Sequence, residues 1–232
     1  MVVHQRSLLG LGEPTVDEQA AFERIALGER AWVDVARGWL RGSDTLLDDL
    51  IATVDWRQGR RPMFERVVDD PRLSRWYRAA DELPHAALHA CRDALARHYR
   101  VPLGSVGLNY YRDGRDSVAF HRDRELRLLD DTLVAIVTLG ARRPFLIRPR
   151  GGGPSIDVSP ACGDLLVMGG RCQVEFEHGV PKHAYSGPRI SCSWRWTSRA
   201  GTAEPMGAWE RDVQPALTGA RYITGRRATV RV

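Results

Sequence analysis

The chain has 232 residues, 43% of them hydrophobic and 27% charged, with a formal net charge of +5. That is enough apolar material for a substantial core in one or two domains, and too much for a globally disordered chain. The longest apolar runs, such as Thr132 to Leu139, are far short of a membrane span, and Met1 to Gly10 show no basic-then-apolar secretory pattern. The four cysteines, Cys91, Cys162, Cys172 and Cys192, form no C-x-x-C pair and read as reduced thiols in a cytosol. The expectation is therefore a cytoplasmic protein with no membrane association, and a monomer.

Of the 34 basic residues, only Lys182 is a lysine. A GC-rich coding sequence produces such a bias. So does contact with phosphate, which the planar guanidinium matches. Charge sign alone does not separate the two.

In chain order, residues 1–17 read as a loosely packed arm. From Val16 to about Thr53 the apolar spacing is helical, through Phe22, Ile25, Trp32, Val35 and Trp39. Ser43 is a plausible N-cap for a helix from Asp44 to Thr53 with Leu46, Leu47, Leu50 and Ile51 on one face. A further helix covers Pro84 to Tyr99, with Ala87, Leu88, Cys91, Leu95 and Tyr99 on one side. Residues 56–77, between these helices, are polar and rich in arginine and aromatics. After Val101 the pattern changes to short β-branched or aromatic runs: SVGLNYY, SVAFHRD, TLVAIVTLG, RPFLIRPR, SIDVSP, GDLLVMG and RISCSWRWTS. Turn residues bound each run. About seven strands at this spacing suggest an antiparallel sandwich or jelly roll, preceded by helices, in an α+β order. Residues 200–232 form a tail with Arg221, Arg226, Arg227 and Arg231 and no element that can be assigned.

Two patterns carry chemistry. His121-Arg122-Asp123 places an imidazole and a carboxylate two residues apart at a strand end, on one face. With a third ligand from His178 or His183 it forms the two-histidine, one-carboxylate set of non-haem Fe(II) oxygenases; by itself the pair is common by chance and reads better as a surface histidine beside an aspartate. Along the last strand, Arg189, Ser191, Ser193, Arg195 and Thr197 share one face, and Ile190, Cys192, Trp194 and Trp196 the other. The polar face is either a solvated exterior or an inner face whose arginines grip a carboxylate-bearing ligand.

Taken in order, NYYRDGRDSVAFHRDRE (Asn109 to Glu125), EFEHGVP (Glu175 to Pro181) and RISCSWR (Arg189 to Arg195) resemble the AlkB family of Fe(II)- and 2-oxoglutarate-dependent dioxygenases, which repair alkylated bases. A looser likeness extends to DPRLSRWY (Asp70 to Tyr77). The resemblance implies a double-stranded β-helix, or jelly-roll, core with N-terminal helices packed on one side. It divides the chain into helices and a nucleotide-recognition lid over 1–100, the catalytic core over 101–199 and a tail over 200–232. It implies His121, Asp123 and His178 as metal ligands, with His183 outside the set. Asn109 and Tyr111 match residues that contact 2-oxoglutarate. Arg189 matches the partner of its distal carboxylate, and Arg195 lies near its chelating end, where Ser193 adds a hydroxyl. Glu125 matches an acidic residue that reaches the amino group of the target base.

A base in a duplex must leave the stack to reach a buried metal, which requires phosphate contacts, a wedge and a stacking surface. Residues 56–77 have that composition: Arg57, Arg60, Arg61, Met63, Phe64, Arg72, Arg75, Trp76 and Tyr77. Phe64, Arg72, Trp76 and Tyr77 are expected to bind substrate. Arg142, Arg143, Arg148 and Arg150 form a second basic cluster on a hairpin tipped by RGGG. The expected activity is oxidative demethylation of 1-methyladenine or 3-methylcytosine in DNA, with Fe(II), 2-oxoglutarate and O2, releasing formaldehyde, succinate and CO2. Two alternatives stand beside it. One is a 2-oxoglutarate oxygenase acting on RNA, protein or a small metabolite; the other is an inactive nucleic-acid-binding protein.

Overall fold

Antiparallel strand pairing dominates the computed structural model of the chain, which describes residues 10–198 apart from Phe64. Residues 1–9 of the expected arm over 1–17, the tail at 200–232 and the substrate role of Phe64 lie outside the described residues. The strands are β1 (Thr15–Val16), β2 (Phe22–Ala26), β3 (Ala31–Ala36), β4 (Leu40–Arg41), β5 (Arg57–Met63), β6 (Arg66–Tyr77), β7 (Val106–Tyr111), β8 (Val118–His121), β9 (Thr132–Gly140), β10 (Leu146–Pro149), β11 (Ile156–Asp157), β12 (Leu165–Gly170), β13 (Phe176–Val180) and β14 (Arg189–Thr197). Helix α1 (Ser43–Thr53) lies between β4 and β5, helix α2 (Ala86–Tyr99) between β6 and β7, and a single turn, α3 (Cys172–Glu175), leads into β13.

The large sheet runs β2-β3-β12-β9-β14-β7-β6-β5, and a smaller one runs β11-β10-β13-β8. Period-two alternation sends each central strand into two cores. Leu133, Ala135, Val137 and Leu139 of β9, and Ile190, Cys192 and Trp194 of β14, pack under Leu46, Leu47 and Leu50 of α1 and Leu88, Cys91 and Leu95 of α2. Val134 and Ile136 of β9 face the other way. They meet Phe145, Ile147 and Val180 from the small-sheet side in a second core between the sheets. Both helices thus cover one face of a jelly roll, as expected. Leu46 and Leu50 are completely buried, so truncating either to alanine should cost about 2–5 kcal/mol.

The helical reading of residues 16–42 is wrong. That segment forms β1 to β4, and β3 pairs with β12 from Leu165↔Ala36 to Gly170↔Ala31. The strand is hidden because β3 is buried on both faces and shows no alternation. The order is therefore not helices first and strands after. Nor does the sheet break near residue 100, because β6 pairs with β7 across it. Ser43 is not a side-chain cap either. Gly42 occupies the N-cap position at φ 64° with no side-chain cap hydrogen bond. A Cβ there would sit 2.6 Å from the Glu13 carbonyl oxygen, so glycine is required on both counts.

Candidate active site

His121 is the last residue of β8, and the β8–β13 pairing sets His178 directly opposite it. The two rings lie 4.3 Å apart between centroids. Asp123 follows two residues later, beyond the end of the strand. Its backbone N–H donates to Gln173 Oε1 at 2.8 Å, which fixes the turn. Asp123 Oδ1 stands 3.7 Å from His121 Nε2 and 3.9 Å from His178 Nε2. All three ligand atoms fall within 4.8 Å of one another, the only such cluster among the described residues. His121 Nδ1 lies 2.9 Å from the Ala119 carbonyl. A proton there leaves the Nε2 lone pair facing the cluster, the usual arrangement behind a metal-bound imidazole. His178 is held by near-parallel stacking on Phe145 at 5.6 Å.

The protonation states suit a cation. Burial, reinforced by the neighbouring imidazole, pushes His178 down to about 3, and burial likewise lowers His121. Burial opposes ionisation of Asp123, but Arg195, His178 and His121 together hold its carboxyl well below the usual range. Two neutral imidazoles and one carboxylate in a pocket make a donor set that fits Fe(II) and leaves part of its coordination sphere open.

The inner face of β14 supplies a second feature. Arg189 is fully buried; its Nη2 donates only to Thr138 Oγ1 at 3.3 Å. Its Nε and Nη1 have no hydrogen-bond partner among the described residues. Burial pushes its guanidinium down to about 10, and no carboxylate is among the groups that act on it. A buried cation with unused donors is unfavourable unless a ligand supplies the acceptor, and the carboxylate of a 2-oxo acid meets that need. The reading of this strand as an inner face therefore holds. Tyr111 lies directly across the strand pair from Arg189, and Asn109 from Ser191. Arg72 Nε donates to Asn109 Oδ1 at 2.9 Å, which ties β6 to this face.

Arg195 sits nearer the metal cluster. Its Nε donates to Asp123 Oδ2 at 2.7 Å and lies 3.2 Å from Glu125 Oε1. The Trp76 ring approaches the same guanidinium, 5.9 Å from Cζ. Burial, with Asp123 nearby, raises Glu125 against the pull of Arg195. Trp76, Arg195 and Glu125 therefore line one edge of the cluster. Ser193 belongs to the sheet: its hydroxyl donates to the Gly107 carbonyl at 3.1 Å and lies 3.4 Å from Arg195 Nη1. Its proton is engaged by that carbonyl.

Several expected residues fall elsewhere. Tyr77, one position after Trp76, points to the opposite face and packs against the helix-side core, so it cannot stack on a substrate at the metal cluster. His183 is exposed in the β13–β14 connection, its N–H bonded to the Gly114 carbonyl at 2.8 Å. Arg57 and Arg60 are exposed but paired with Asp55 and Asp69. The second basic cluster does not form. Arg143 is 1% exposed, Arg148 pairs with Glu177, and Arg142 bonds the Ser159 carbonyl. Gln173, Thr138, Phe145 and Arg143 support the site without having been legible as site residues. Their roles depend on contacts across 27 to 51 positions, between residues that no short motif joins.

Residues 43–204 match the family described as the 2OG-Fe(II) oxygenase superfamily. The chain is 28% identical over 180 residues to the alpha-ketoglutarate-dependent dioxygenase alkB homolog 3 of Mus musculus and 27% identical to that of Homo sapiens. Each alignment covers 67% of this chain and 62% of the relative, so the chain spans less than two thirds of those proteins. A shorter stretch of 99 residues is 33% identical to the DNA oxidative demethylase ALKBH2 of Homo sapiens, covering 39% of this chain and 38% of that one. With the jelly roll, the clustered triad and the buried arginine in place, the chain belongs to the 2OG-Fe(II) oxygenase superfamily. Within it, the similarity to alkB homolog 3 and ALKBH2 puts the chain in the AlkB family.

Proposed function

We propose that the chain is an Fe(II)- and 2-oxoglutarate-dependent dioxygenase that removes methyl groups from ring nitrogens of bases in DNA, of the 1-methyladenine and 3-methylcytosine type. The observation that carries the reading is the pairing of the His121–Asp123–His178 cluster, two of its members buried, with an Arg189 whose buried Nε and Nη1 have no acceptor among the described residues. When bound, Fe(II), 2-oxoglutarate and dioxygen supply the oxidation that converts an N-methyl group to a hydroxymethyl, lost as formaldehyde, with succinate and CO2 as co-products.

The protein's own tasks are holding, orienting and drying. His121, Asp123 and His178 hold the ion. Arg189 takes the distal carboxylate of the 2-oxo acid, beside Tyr111 and Asn109. Arg195 keeps Asp123 in one rotamer and places Glu125 beside it. Trp76 offers an aromatic face at the same edge, where an extruded base can stack. Glu125 offers an acceptor to the exocyclic amino group that both target bases carry. Nucleic acid is favoured over a small metabolite because an aromatic face and an acidic acceptor stand together beside the cluster. The relatives named as a DNA demethylase point the same way.

A formaldehyde-release screen tests the substrate directly. Methylated DNA and RNA oligonucleotides and the free methylated nucleosides are compared at equal concentration. DNA turning over fastest supports the proposal. Preference for RNA replaces DNA with RNA on the same scaffold, and preference for free nucleosides, or none of the three turning over, removes nucleic acid as the substrate.

A further inference from the structure

Arg143 is as deeply buried as Arg189 and is not explained by the metal cluster. It leaves the end of β9 and is 1% exposed. Its Nη1 donates to the Asp113 carbonyl at 3.1 Å, and its Nη2 to the carbonyls of Asp116 at 2.7 Å and Pro181 at 2.8 Å. All three acceptors are neutral. The nearby carboxylates are already committed, Asp116 to Arg112 and Asp113 to Arg115. Arg143 Nε is buried with no hydrogen-bond partner among the described residues. Its guanidinium carbon lies 5.4 Å from the Tyr111 ring, and that of Arg189 lies 5.9 Å from the same ring.

Two buried guanidinium groups therefore approach one tyrosine, with three unpartnered donor nitrogens in all and no carboxylate hydrogen-bonded to either among the described residues. Like charges buried together repel, and each also loses its hydration. Three carbonyl contacts explain how Arg143 braces the β7–β8 and β13–β14 connections. The Asp116 and Asp113 carboxylates act on its charge only from a distance, and nothing among the described residues gives its Nε an acceptor. An anion entering beside Tyr111 would relieve both arginines at once.

We infer that Arg143 is a second cation for the far carboxylate of the 2-oxo acid, and so sets selection of a dicarboxylate over a monocarboxylate co-substrate. The inference rests on the proposed 2-oxoglutarate reading of the Arg189 pocket. Arg189 supplies the direct grip from β14, and Arg143 adds its field and its unpartnered Nε beside the same tyrosine. Through its carbonyl contacts it also holds Tyr111's surroundings in place.

The test is calorimetric titration of the full chain, loaded with Mn(II) under nitrogen, with 2-oxoglutarate and with 2-oxopentanoate. The second ligand has the same carbon chain without the far carboxylate. Arg143→Met should weaken 2-oxoglutarate about ten-fold while leaving 2-oxopentanoate within about two-fold, because only the dicarboxylate loses a charge-assisted contact. Arg143→Lys, which keeps the charge without the fork, should fall between. If Arg143→Met does not fold, Arg143→Lys decides: its loss must fall on 2-oxoglutarate alone. Equal weakening of both ligands makes Arg143 a brace only and overturns the inference, as does no change in either. A wild-type chain that binds both ligands equally overturns the reading of the Arg189 pocket itself.

Discussion

Arg195 Nε donates to Asp123 Oδ2 at 2.7 Å, with both side chains largely buried, so the oxygen left facing His121 and His178 is Oδ1. One carboxylate oxygen is thus held by the protein and the other is presented to the cluster. Outer partners of this kind typically contribute ten- to a hundred-fold to metal affinity. Arg195→Met should therefore weaken Mn(II) or Fe(II) binding by about that factor, read by equilibrium dialysis, although Arg195 is not itself a ligand. Unchanged metal affinity would mean that Asp123 is oriented by Gln173 alone.

The choice between the two downstream histidines gives a sharper contrast. His178 is buried opposite His121, whereas His183 is exposed in a loop. His178→Ala should lose bound metal almost completely, and His183→Ala should retain it, as metal analysis of the purified chains would show. Metal loss in His183→Ala with retention in His178→Ala would rule the cluster out.

Arg189 offers a test of the inner-face strand. Removing a charge-assisted contact to a carboxylate costs about 1.5–3 kcal/mol, or roughly ten- to a hundred-fold in affinity. Arg189→Ala should raise the 2-oxoglutarate concentration needed for half-maximal turnover by that factor, with Arg189→Lys recovering only part of it. An unaltered requirement would contradict the inner-face assignment.

Adjacent aromatics should behave in opposite ways. Trp76 faces Arg195, and Tyr77 packs into the helix-side core. Trp76→Ala should raise KM for a methylated oligonucleotide, since stacking is worth about 1–3 kcal/mol per base, with little change in melting temperature. Tyr77→Ala should lower the melting temperature, at about 1–3 kcal/mol of stability, and leave KM nearly unchanged. Identical behaviour of the two variants would show that the face assignment of β6 is wrong.

That pair also shows where sequence reading stops. Alternation in RISCSWRWT separates Arg189 and Arg195 from Ile190, Cys192 and Trp194, because one face of β14 is polar throughout. In RLSRWY both faces carry large side chains, so the parity of Trp76 against Tyr77 is undetermined until β6 is registered on β7. Strand β3 was unreadable for a related reason: Val33 and Val35 serve the inter-sheet core while Ala36 serves the helix side, and no amphipathic period remains. Strand β13 is short and holds Glu177 and Gly179, poor strand formers, yet it carries His178. His178 was found through its motif and its order in the chain, not through periodicity. Arg143 was misread as surface charge because burial of an arginine leaves no local sequence mark.

The central claim is that His121, Asp123 and His178 hold Fe(II) while Arg189 receives a 2-oxo acid that chelates it. Anaerobic titration of the full chain with Fe(II) and 2-oxoglutarate measures this directly, because the chelate produces a visible charge-transfer band. The account predicts that the band appears in the wild-type chain, requires both components and is lost in Asp123→Ala. A wild-type chain that binds Fe(II) yet shows no band with saturating 2-oxoglutarate, or a band that persists in Asp123→Ala, would contradict it.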